Sequence, residues 1–253
     1  MKFDELDEQM RVFETSHDYC VLPGIYIVAR LDGRGFTRLT KDIHQFEAPF
    51  DLRFRDLMLG AAQALITEFN AIYAYTQSDE ISLLFPLTCN LFNRKLRKLN
   101  SVLAGYASAR FALDLGSMAS LDCRICELPL ARHVIDYFRW RNEDAHRNAL
   151  NAHCYWLLRK KGENANDASQ ALLRLSAADK NELLFANGVN FNELPNWQKR
   201  GSGLYWEEHD KEGFNPMTGE KVAARRRRIK RELDLPMKDE YSQFIATIIE
   251  LQQ

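Results

Sequence analysis

An α+β fold is predicted by the alternation of helix-like and strand-like patterns in the first half of the chain. Two segments, 49–70 and 93–115, carry apolar residues at the three- and four-residue spacing of a helix. Four runs rich in β-branched and aromatic residues are predicted to be strands: 24–32, 71–75, 81–85 and 119–128. The order is β-α-β-β-α-β, the ferredoxin-like arrangement, in which two helices cover one face of a sheet and leave the other free.

Each element has its own local signal. The first strand follows Pro23-Gly24, a pair that interrupts preceding structure. The segment TQSDE, residues 76–80, is short and polar, so it is predicted to join the next two strands as a hairpin. The first helix has Pro49 near its start, and its apolar positions are Leu57, Met58, Ala61, Ala62, Leu65, Ile66 and Phe69.

The second half is predicted to be a helical extension. Residues 134–161 form one long helix that Gly162 ends, and one or two short helices follow. Glycine, asparagine and aromatic residues dominate 188–216, and a basic run, RRRRIKR (225–231), precedes a C-terminal helix. We therefore divide the chain into 1–135, the α+β core, and 136–253, the extension packed on it.

Composition excludes several classes of protein. The net charge is −1, so any nucleic-acid surface must be a local one. The N-terminal residues are acidic and amphipathic, unlike a signal peptide, and no apolar run is long enough for a membrane span. An odd number of cysteines without framework spacing, five in all, indicates a reducing compartment, and we expect a cytoplasmic protein.

Cys123 and Cys126 form a C-x-x-C pair, which has two interpretations. A zinc or redox site normally needs a second pair or a nearby histidine, and neither is present. The pair also lies in a predicted strand. We therefore favour buried thiols over a metal or redox site.

Acidic residues mark two neighbouring ends of the predicted sheet. Asp32 ends the first strand, and Ser78, Asp79 and Glu80 form the hairpin turn. In a β-α-β-β-α-β sheet these two places are adjacent. Carboxylates from adjoining strand ends can share cations such as Mg²⁺, and a pair of such cations supports phosphoryl transfer.

The loop after Asp32 suits a phosphate. Gly33 and Gly35 let backbone N–H groups approach an anion, a short helix is predicted to follow, and Arg34 and Arg38 add positive charge. The alternative is an ordinary turn beside an ordinary hairpin, because each motif alone recurs by chance. Their occurrence together at corresponding edges of the sheet favours the phosphate-and-metal site.

The chain resembles the tRNA(His) guanylyltransferase superfamily, and more closely its bacterial and archaeal branch of 3′-to-5′ RNA polymerases. The matching segments keep their order along most of the chain: LDGRGFTRLTK (31–41), HQFEAPFDLRFRDLM (44–58), YAYTQSDEISLLF (73–85), YFRWRNEDAHRNALN (137–151), KNELLF (180–185) and KRGSGLYW (199–206).

The resemblance implies a palm-like catalytic core that uses Mg²⁺ and adds nucleotides to the 5′ end of tRNA. ATP or GTP activates a 5′-monophosphate, and the 3′-hydroxyl of an incoming nucleotide then attacks. The implied metal ligands are Asp32, Asp79 and the carbonyl of Gly33, with Glu80 as a supporting catalytic acid. The implied nucleotide-binding residues are Asp32, Gly33, Arg34, Gly35, Phe36, Thr37, Ser78, Asp79 and Lys180. Family members are commonly tetramers, so a homo-oligomer is expected.

Two departures from the eukaryotic pattern bear on specificity. Where eukaryotic enzymes have His-Ile-Asn-Asn-Leu-Tyr-Asn, this chain has HRNALNA (146–152), and a lysine of the eukaryotic loop is Ala48 here. These differences favour template-dependent repair of truncated tRNA 5′ ends over strict addition of one G to tRNA(His).

Several polar residues have both an RNA-binding and a structural interpretation. Arg141, Asp144 and Asn148 share a face of the long helix, with Trp140 at its edge, and spacing alone favours a solvated surface. The resemblance instead favours RNA contact for Arg141, His146 and Asn148. The basic run, including Arg225 and Arg226, either follows an RNA backbone or forms a charged solvated helix. Lys199 and Arg200 lie among aromatic residues that either stack on RNA or pack in the core.

Two other functions remain as alternatives. One is a nucleotide cyclase on the same kind of core, although no GGDEF-type hairpin is present. The other is a tRNA-binding module without activity, which the intact acids argue against.

Overall fold

A computed structural model describes residues 2–214 and 221–251 of the chain. The first half contains α1 (Phe3–Thr15), β1 (Tyr26–Gly33), α2 (Phe36–Arg38) with a π-helical turn (Leu39–Ile43), α3 (Leu52–Phe69), β2 (Tyr73–Gln77), β3 (Glu80–Leu84), a 3₁₀ turn (Leu91–Arg94), α4 (Leu96–Leu115) and β4 (Leu121–Leu128). The second half contains α5 (Ala131–Lys160), α6 (Ala165–Leu173), α7 (Ala177–Phe185), a 3₁₀ turn (Phe191–Glu193), α8 (Asn196–Arg200), β5 (Ser202–Phe214), β6 (Lys221–Glu232) and α9 (Lys238–Leu251).

The strands form one antiparallel sheet in the order β4-β1-β3-β2-β5-β6. The predicted β-α-β-β-α-β order is confirmed for β1 to β4, and the predicted α+β class with it. β1 pairs with β3 so that Asp32 lies opposite Glu80. The register therefore places the end of β1 beside the β2–β3 hairpin, as expected from the topology.

Both faces of the sheet are covered, which corrects the prediction of one free face. On one side, α3 and α4 pack against β1 and β3 through residues such as Leu31, Leu65 and Phe111. On the other side, α5 and α9 bury Val28 together with Phe138 and other apolar residues. The signal was present in β1, because a run of consecutive apolar residues is typical of a strand that is buried on both faces.

The basic run 225–231 lies in strand β6, so the alternative interpretation as a charged solvated helix is wrong. β6 pairs with β5, and acids on β5 meet these arginines: Arg228 lies 2.8 Å from Glu207, and Arg225 lies 3.3 Å from Glu208. Opposite charges that face each other across a strand pair stabilise the pairing. The C-terminal half is therefore a mixture of helices and a hairpin that extends the sheet.

Buried hydroxyl groups join α5, α8 and α9 to the sheet. Tyr73 and Tyr241 share a 2.9 Å hydrogen bond between their hydroxyls, and the Tyr75 hydroxyl donates to the Arg200 carbonyl at 2.9 Å. Ser82 of β3 is hydrogen-bonded to Tyr137 of α5 at 3.0 Å. These contacts set the position of α5 over the end of the sheet that carries Asp32.

The C-x-x-C pair consists of two partly buried thiols. Cys123 and Cys126 are three residues apart on β4, so they lie on opposite faces of the sheet. Cys123 packs toward α3 and α4, and Cys126 packs toward α5 and α9. Both are free thiols, and burial raises the pKa of Cys123 to about 12. Among the helices in the described ranges, none has the length and apolar character to cross a bilayer.

Arg94 is a structural residue that sequence patterning does not single out. It is 6% exposed, and its guanidinium donates to the carbonyls of Val21 at 3.1 Å, Leu22 at 3.0 Å, Ile25 at 2.5 Å and Cys89 at 2.6 Å. One side chain thus satisfies carbonyls in the segment before β1 and in the loop before α4. Buried carbonyls without partners are costly, so Arg94 holds the entry to β1 in place.

Replacing Arg94 with methionine is expected to lower the free energy of unfolding by roughly 3 kcal/mol, because several buried carbonyls lose their charged donor. The urea midpoint measures the effect. Arg97→Met is the control, since Arg97 is half exposed and pairs with Asp18 at the surface. Equal midpoints for the two variants would show that the carbonyl contacts of Arg94 contribute little.

Candidate active site

The structure brings together the acids at the end of β1 and at the β2–β3 hairpin. Ser78 and Asp79 form a two-residue turn, in which Ser78 has a φ of 52°. The Gly33 N–H, directly after Asp32, donates to the Asp79 carbonyl at 3.0 Å. Ser78 Oγ donates to the Asp79 carboxylate at 3.0 Å. Asp32 and Asp79 are therefore neighbours on a backbone held by strand pairing.

The two carboxylates are in an environment that disfavours their charged forms. Burial raises the pKa of Asp79, and the charges of Asp32 and Glu80 raise it further. Burial also raises the pKa of Asp32, with an additional contribution from Glu80 and an opposing one from Arg30. A cation between Asp32 and Asp79 would relieve this repulsion.

Glu80 differs from the other two acids because both of its carboxylate oxygens are engaged. One oxygen is paired with Arg30 of β1, and the other is paired with Arg141 of α5. The exposed fractions of the three side chains are 21%, 16% and 10%, respectively. Glu80 therefore links β1, β3 and α5 at the position next to Asp79.

The donor set at this edge fits Mg²⁺ completed by substrate oxygens. Among the residues that the structure describes, no group of three or more histidine, cysteine, aspartate or glutamate side chains is arranged to hold a metal ion. Asp32 and Asp79 supply two carboxylates. Mg²⁺ is usually bound through one or two carboxylates, several waters and the phosphates of a substrate, rather than by an all-protein cage.

The loop after Asp32 presents backbone N–H groups. The Arg34 N–H donates to the Ser120 carbonyl at 2.8 Å, so only the amides further along, at the start of α2, remain for a ligand. Gly35 has a φ of 71°, a conformation that favours glycine. A Cβ at Gly33 would lie 2.4 Å from Phe36 Cγ, so the loop requires glycine there as well.

The Phe36 side chain packs in the core and is not exposed to a ligand. Its ring is 2% exposed and contacts Phe54 and Phe111, with centroid distances of 6.1 Å and 5.1 Å. The prediction that Phe36 binds a nucleotide is therefore restricted to its backbone N–H. The ring anchors the loop to the core between α3 and α4.

Two open spaces flank the hairpin turn, and Ser78 lines both. The first, the hairpin cavity, is about 700 Å³ when the open solvent at its mouth is included, and its walls include Lys41, Phe46, Ser78, Trp156 and Trp197. The second, the α5 cleft, is about 720 Å³ on the same basis, and its walls include Ser78, Asp79, Glu80, Arg141 and Asn148. The hairpin tip thus separates a space with several aromatic walls from one lined mainly by polar residues.

The predicted polar face of α5 is confirmed in part. Arg141 lies 3.5 Å from Asp144, and the Asn148 amide donates to Asp144 at 3.1 Å, so these three residues share one face. Arg141 is buried against Glu80 and also lines the α5 cleft, and its contact with RNA stays a prediction. His146 faces the other way, with its ring 5.3 Å from that of Phe191, and burial lowers its pKa. His146 is only partly buried, and its contact with RNA stays a prediction.

The lysine and arginine of α8 make structural contacts, and their role in RNA binding stays a prediction. Lys199 is 3% exposed and donates to the Asn192 carbonyl at 2.7 Å. Arg200 donates to the Leu235 carbonyl at 3.0 Å. These contacts fit the alternative interpretation of this segment, packing in the core.

Three further predicted residues lie away from the acids. Lys180, on α7, lines neither the hairpin cavity nor the α5 cleft. Arg225 and Arg226 are exposed on β6, and Arg225 pairs with Glu208.

Arg30, by contrast, belongs to the site and was not predicted. Its signal is a polar residue two positions before Asp32 in an otherwise apolar strand, which places both on the same face.

Family models match nearly all of the chain. The model described as "tRNAHis guanylyltransferase" matches residues 7–129, and the model described as "Thg1 C terminal domain" matches residues 132–246. The tRNA(His) guanylyltransferase of Schizosaccharomyces pombe is 37% identical over 203 residues, which cover 76% of this chain and 77% of that protein. The enzyme of Debaryomyces hansenii is 33% identical over 221 residues, which cover 81% and 82%.

Solved structures agree with these matches. A bacterial tRNA(His) guanylyltransferase-like protein in complex with GTP has a TM-score of 0.76 at 25% identity, covering 97% of this chain and 99% of that chain. The tRNA(His) guanylyltransferase of Saccharomyces cerevisiae has a TM-score of 0.73 at 28% identity, covering 81% and 93%. The chain therefore belongs to the tRNA(His) guanylyltransferase family, a family of nucleotidyltransferases.

Proposed function

We propose that this nucleotidyltransferase uses Mg²⁺ to add nucleotides to the 5′ end of tRNA in the 3′-to-5′ direction. The observation that carries the proposal is the pair of carboxylates, Asp32 and Asp79, on adjoining strand ends beside a cavity that suits a nucleotide. In this proposal, the palm-like core 1–135 performs the chemistry and 136–253 contacts the RNA. We also propose that the protein is located in the cytoplasm and assembles as a tetramer.

Asp32, Asp79 and the carbonyl of Gly33 would hold Mg²⁺. Bound there, the cations would neutralise phosphate charge and lower the barrier to an in-line displacement. Glu80 does not take part directly, because Arg30 and Arg141 occupy its oxygens. Its role is to keep the hairpin, and with it Asp79, at a fixed distance from β1.

The triphosphate of the substrate lies on the loop after Asp32. Amides at the start of α2, the Ser78 hydroxyl and the exposed Arg34 side chain are donors with the right chemistry for phosphate oxygens. The base enters the hairpin cavity, where Phe46, Trp156 and Trp197 provide aromatic walls. The bacterial relative solved with GTP supports a nucleoside triphosphate as the ligand of this fold.

The 5′ end of the RNA lies in the α5 cleft. This space opens on Asp79 and is lined by polar residues of α5, including Asn148. The activated 5′-phosphate and the incoming 3′-hydroxyl would meet at the hairpin tip, between the cleft and the hairpin cavity. The small Ala48 and the HRNALNA segment support template-dependent repair of shortened 5′ ends over a single untemplated G.

The test is an extension assay. A 5′-monophosphorylated tRNA that lacks its first nucleotides is incubated with Mg²⁺ and labelled NTPs, and the expected product is extended by nucleotides complementary to the 3′ strand. GTP without RNA should give no cyclic product. Tight binding of the RNA without extension would instead identify a binding module, and a cyclic product would identify a cyclase.

A further inference from the structure

A third space begins where the hairpin cavity ends. It is about 460 Å³ when the open solvent above it is included, and we call it the α5-end groove; its lining residues are Glu47, Ala48, Trp156, Arg159 and Lys160. Glu47, Ala48 and Trp156 also line the hairpin cavity. The two spaces are therefore adjacent along the loop of Glu47 and Ala48, with the indole of Trp156 as a common wall. The nucleotidyl transfer proposed above makes no use of the groove.

Positive charge surrounds this shared aromatic wall. The Lys41 ammonium lies 5.1 Å from the centre of the Trp156 ring, and Arg159 and Lys160 line the groove beyond it. Glu47 is the one acid among the lining residues of the groove. The Arg159 Nε is enclosed and has no hydrogen-bond partner among the described residues. The groove thus combines an aromatic face with two cationic side chains, Arg159 and Lys160.

We propose that the α5-end groove binds the unpaired 3′ strand of the RNA whose 5′ end is being extended. A base stacks at Trp156, and the following phosphates contact Arg159 and Lys160. Aromatic faces that alternate with cations are the pattern by which proteins hold single-stranded nucleic acid without reading its sequence. The inference rests on the proposed function for the identity of the RNA.

The position of the groove supports this occupant. When a 5′ end is extended opposite a template, the unpaired template strand begins within a nucleotide of the reacting end. A strand leaving that point needs a path next to the nucleotide cavity, and the α5-end groove shares a wall with it. A free nucleotide would need only one of the two spaces.

The basic end of α5 has another explanation, which the experiment must separate. Arg159, Lys160 and Lys161 all lie at the C-terminus of the helix, where cations are favoured by the helix dipole. The dipole makes no distinction between Lys160 and Lys161. Only Lys160 of these two lines the groove, so the pair gives a matched comparison.

The experiment compares Lys160→Glu with Lys161→Glu on two RNA duplexes that carry a 5′-monophosphate. One duplex has an unpaired 3′ tail and the other is blunt. Lys160→Glu is expected to weaken binding of the tailed duplex by about tenfold relative to Lys161→Glu, because it places a negative charge where a lysine contacts a phosphate. On the blunt duplex, the two variants should bind equally. Both lysines are exposed, so the variants should fold alike.

The outcomes separate this inference from the proposed function. The inference is wrong if the two substitutions weaken binding of the tailed duplex equally. It is also wrong if the wild-type protein binds the tailed and the blunt duplex with the same affinity. If the wild-type protein extends no RNA but the lysine pair still differs on the tailed duplex, the groove binds the strand and the proposed function fails. Salt is held constant throughout, because phosphate contacts weaken steeply with it.

Discussion

Asp79→Ala is expected to lower the rate of nucleotide addition by about a thousandfold or more, while RNA binding persists. Asp79 and Asp32 are the two carboxylates that adjoin at the hairpin, so removing one of them halves the carboxylate ligands available to Mg²⁺. Loss of the cation removes several kcal/mol of transition-state stabilisation, which corresponds to this factor. Initial rates with a labelled NTP, together with a separate RNA-binding measurement, give the two quantities.

Asp32→Ala should reproduce the loss, and Asp122→Ala is the control. Asp122 lies opposite Asp32 on β4 and is exposed, so it is an acid of the same type at the same level of the sheet. It is expected to keep near-normal turnover because its side chain is exposed on β4, and β1 separates β4 from the hairpin. Near-normal turnover in either Asp32→Ala or Asp79→Ala would refute the metal assignment.

Thermal stability gives a second test of Mg²⁺ binding, one that does not depend on catalysis. Because the pKa values of Asp32 and Asp79 are raised in the folded protein, the folded state binds protons more readily than the unfolded state. The ordinary pKa of an aspartate is about 3.8. The contribution of these two groups to stability therefore falls as the pH rises from this value through their raised pKa values. At neutral pH, Mg²⁺ should raise the Tm of the wild-type protein and of Asp122→Ala, but not that of Asp79→Ala.

The approach of Asp32 to Asp79 was predictable because it follows from topology alone. A β-α-β-β-α-β order makes β1 and the hairpin neighbours, and the acids are at the ends of those elements. The pairing of Glu80 with Arg141 was not predictable in this way. It depends on α5 crossing the second face of the sheet, and that crossing is set by tertiary contacts such as the one between Ser82 and Tyr137.

The secondary structure of the basic run could not be predicted from the sequence, for a different reason. Residues 225–231 contain too few apolar positions to reveal a period of two or of 3.6, so charge alone does not distinguish a strand from a helix. The partners that favour a strand, Glu207 and Glu208, lie about twenty residues earlier in the chain. Likewise, nothing local indicates that Lys199 donates to a buried carbonyl rather than to a phosphate.

Glu80→Ala is expected to lower the free energy of unfolding by about 3–5 kcal/mol, measured by urea titration without Mg²⁺. The substitution leaves Arg30 and Arg141 largely buried without their common partner, and an uncompensated buried charge is strongly destabilising. Activity should fall as well, because Asp79 is the preceding residue and would lose its fixed position. Glu80→Gln, which keeps an acceptor oxygen for one arginine, should recover part of both losses.

Glu207→Ala is the matched control for Glu80→Ala. Glu207 also contacts two cations, Arg228 at 2.8 Å and Lys230 at 4.0 Å, on a neighbouring part of the same sheet. The difference is exposure, since these two cations are 61% and 40% exposed and remain solvated when the acid is removed. Its urea midpoint should therefore stay near that of the wild-type protein. If Glu80→Ala lost activity with an unchanged midpoint, Glu80 would instead act on the metal or the substrate directly.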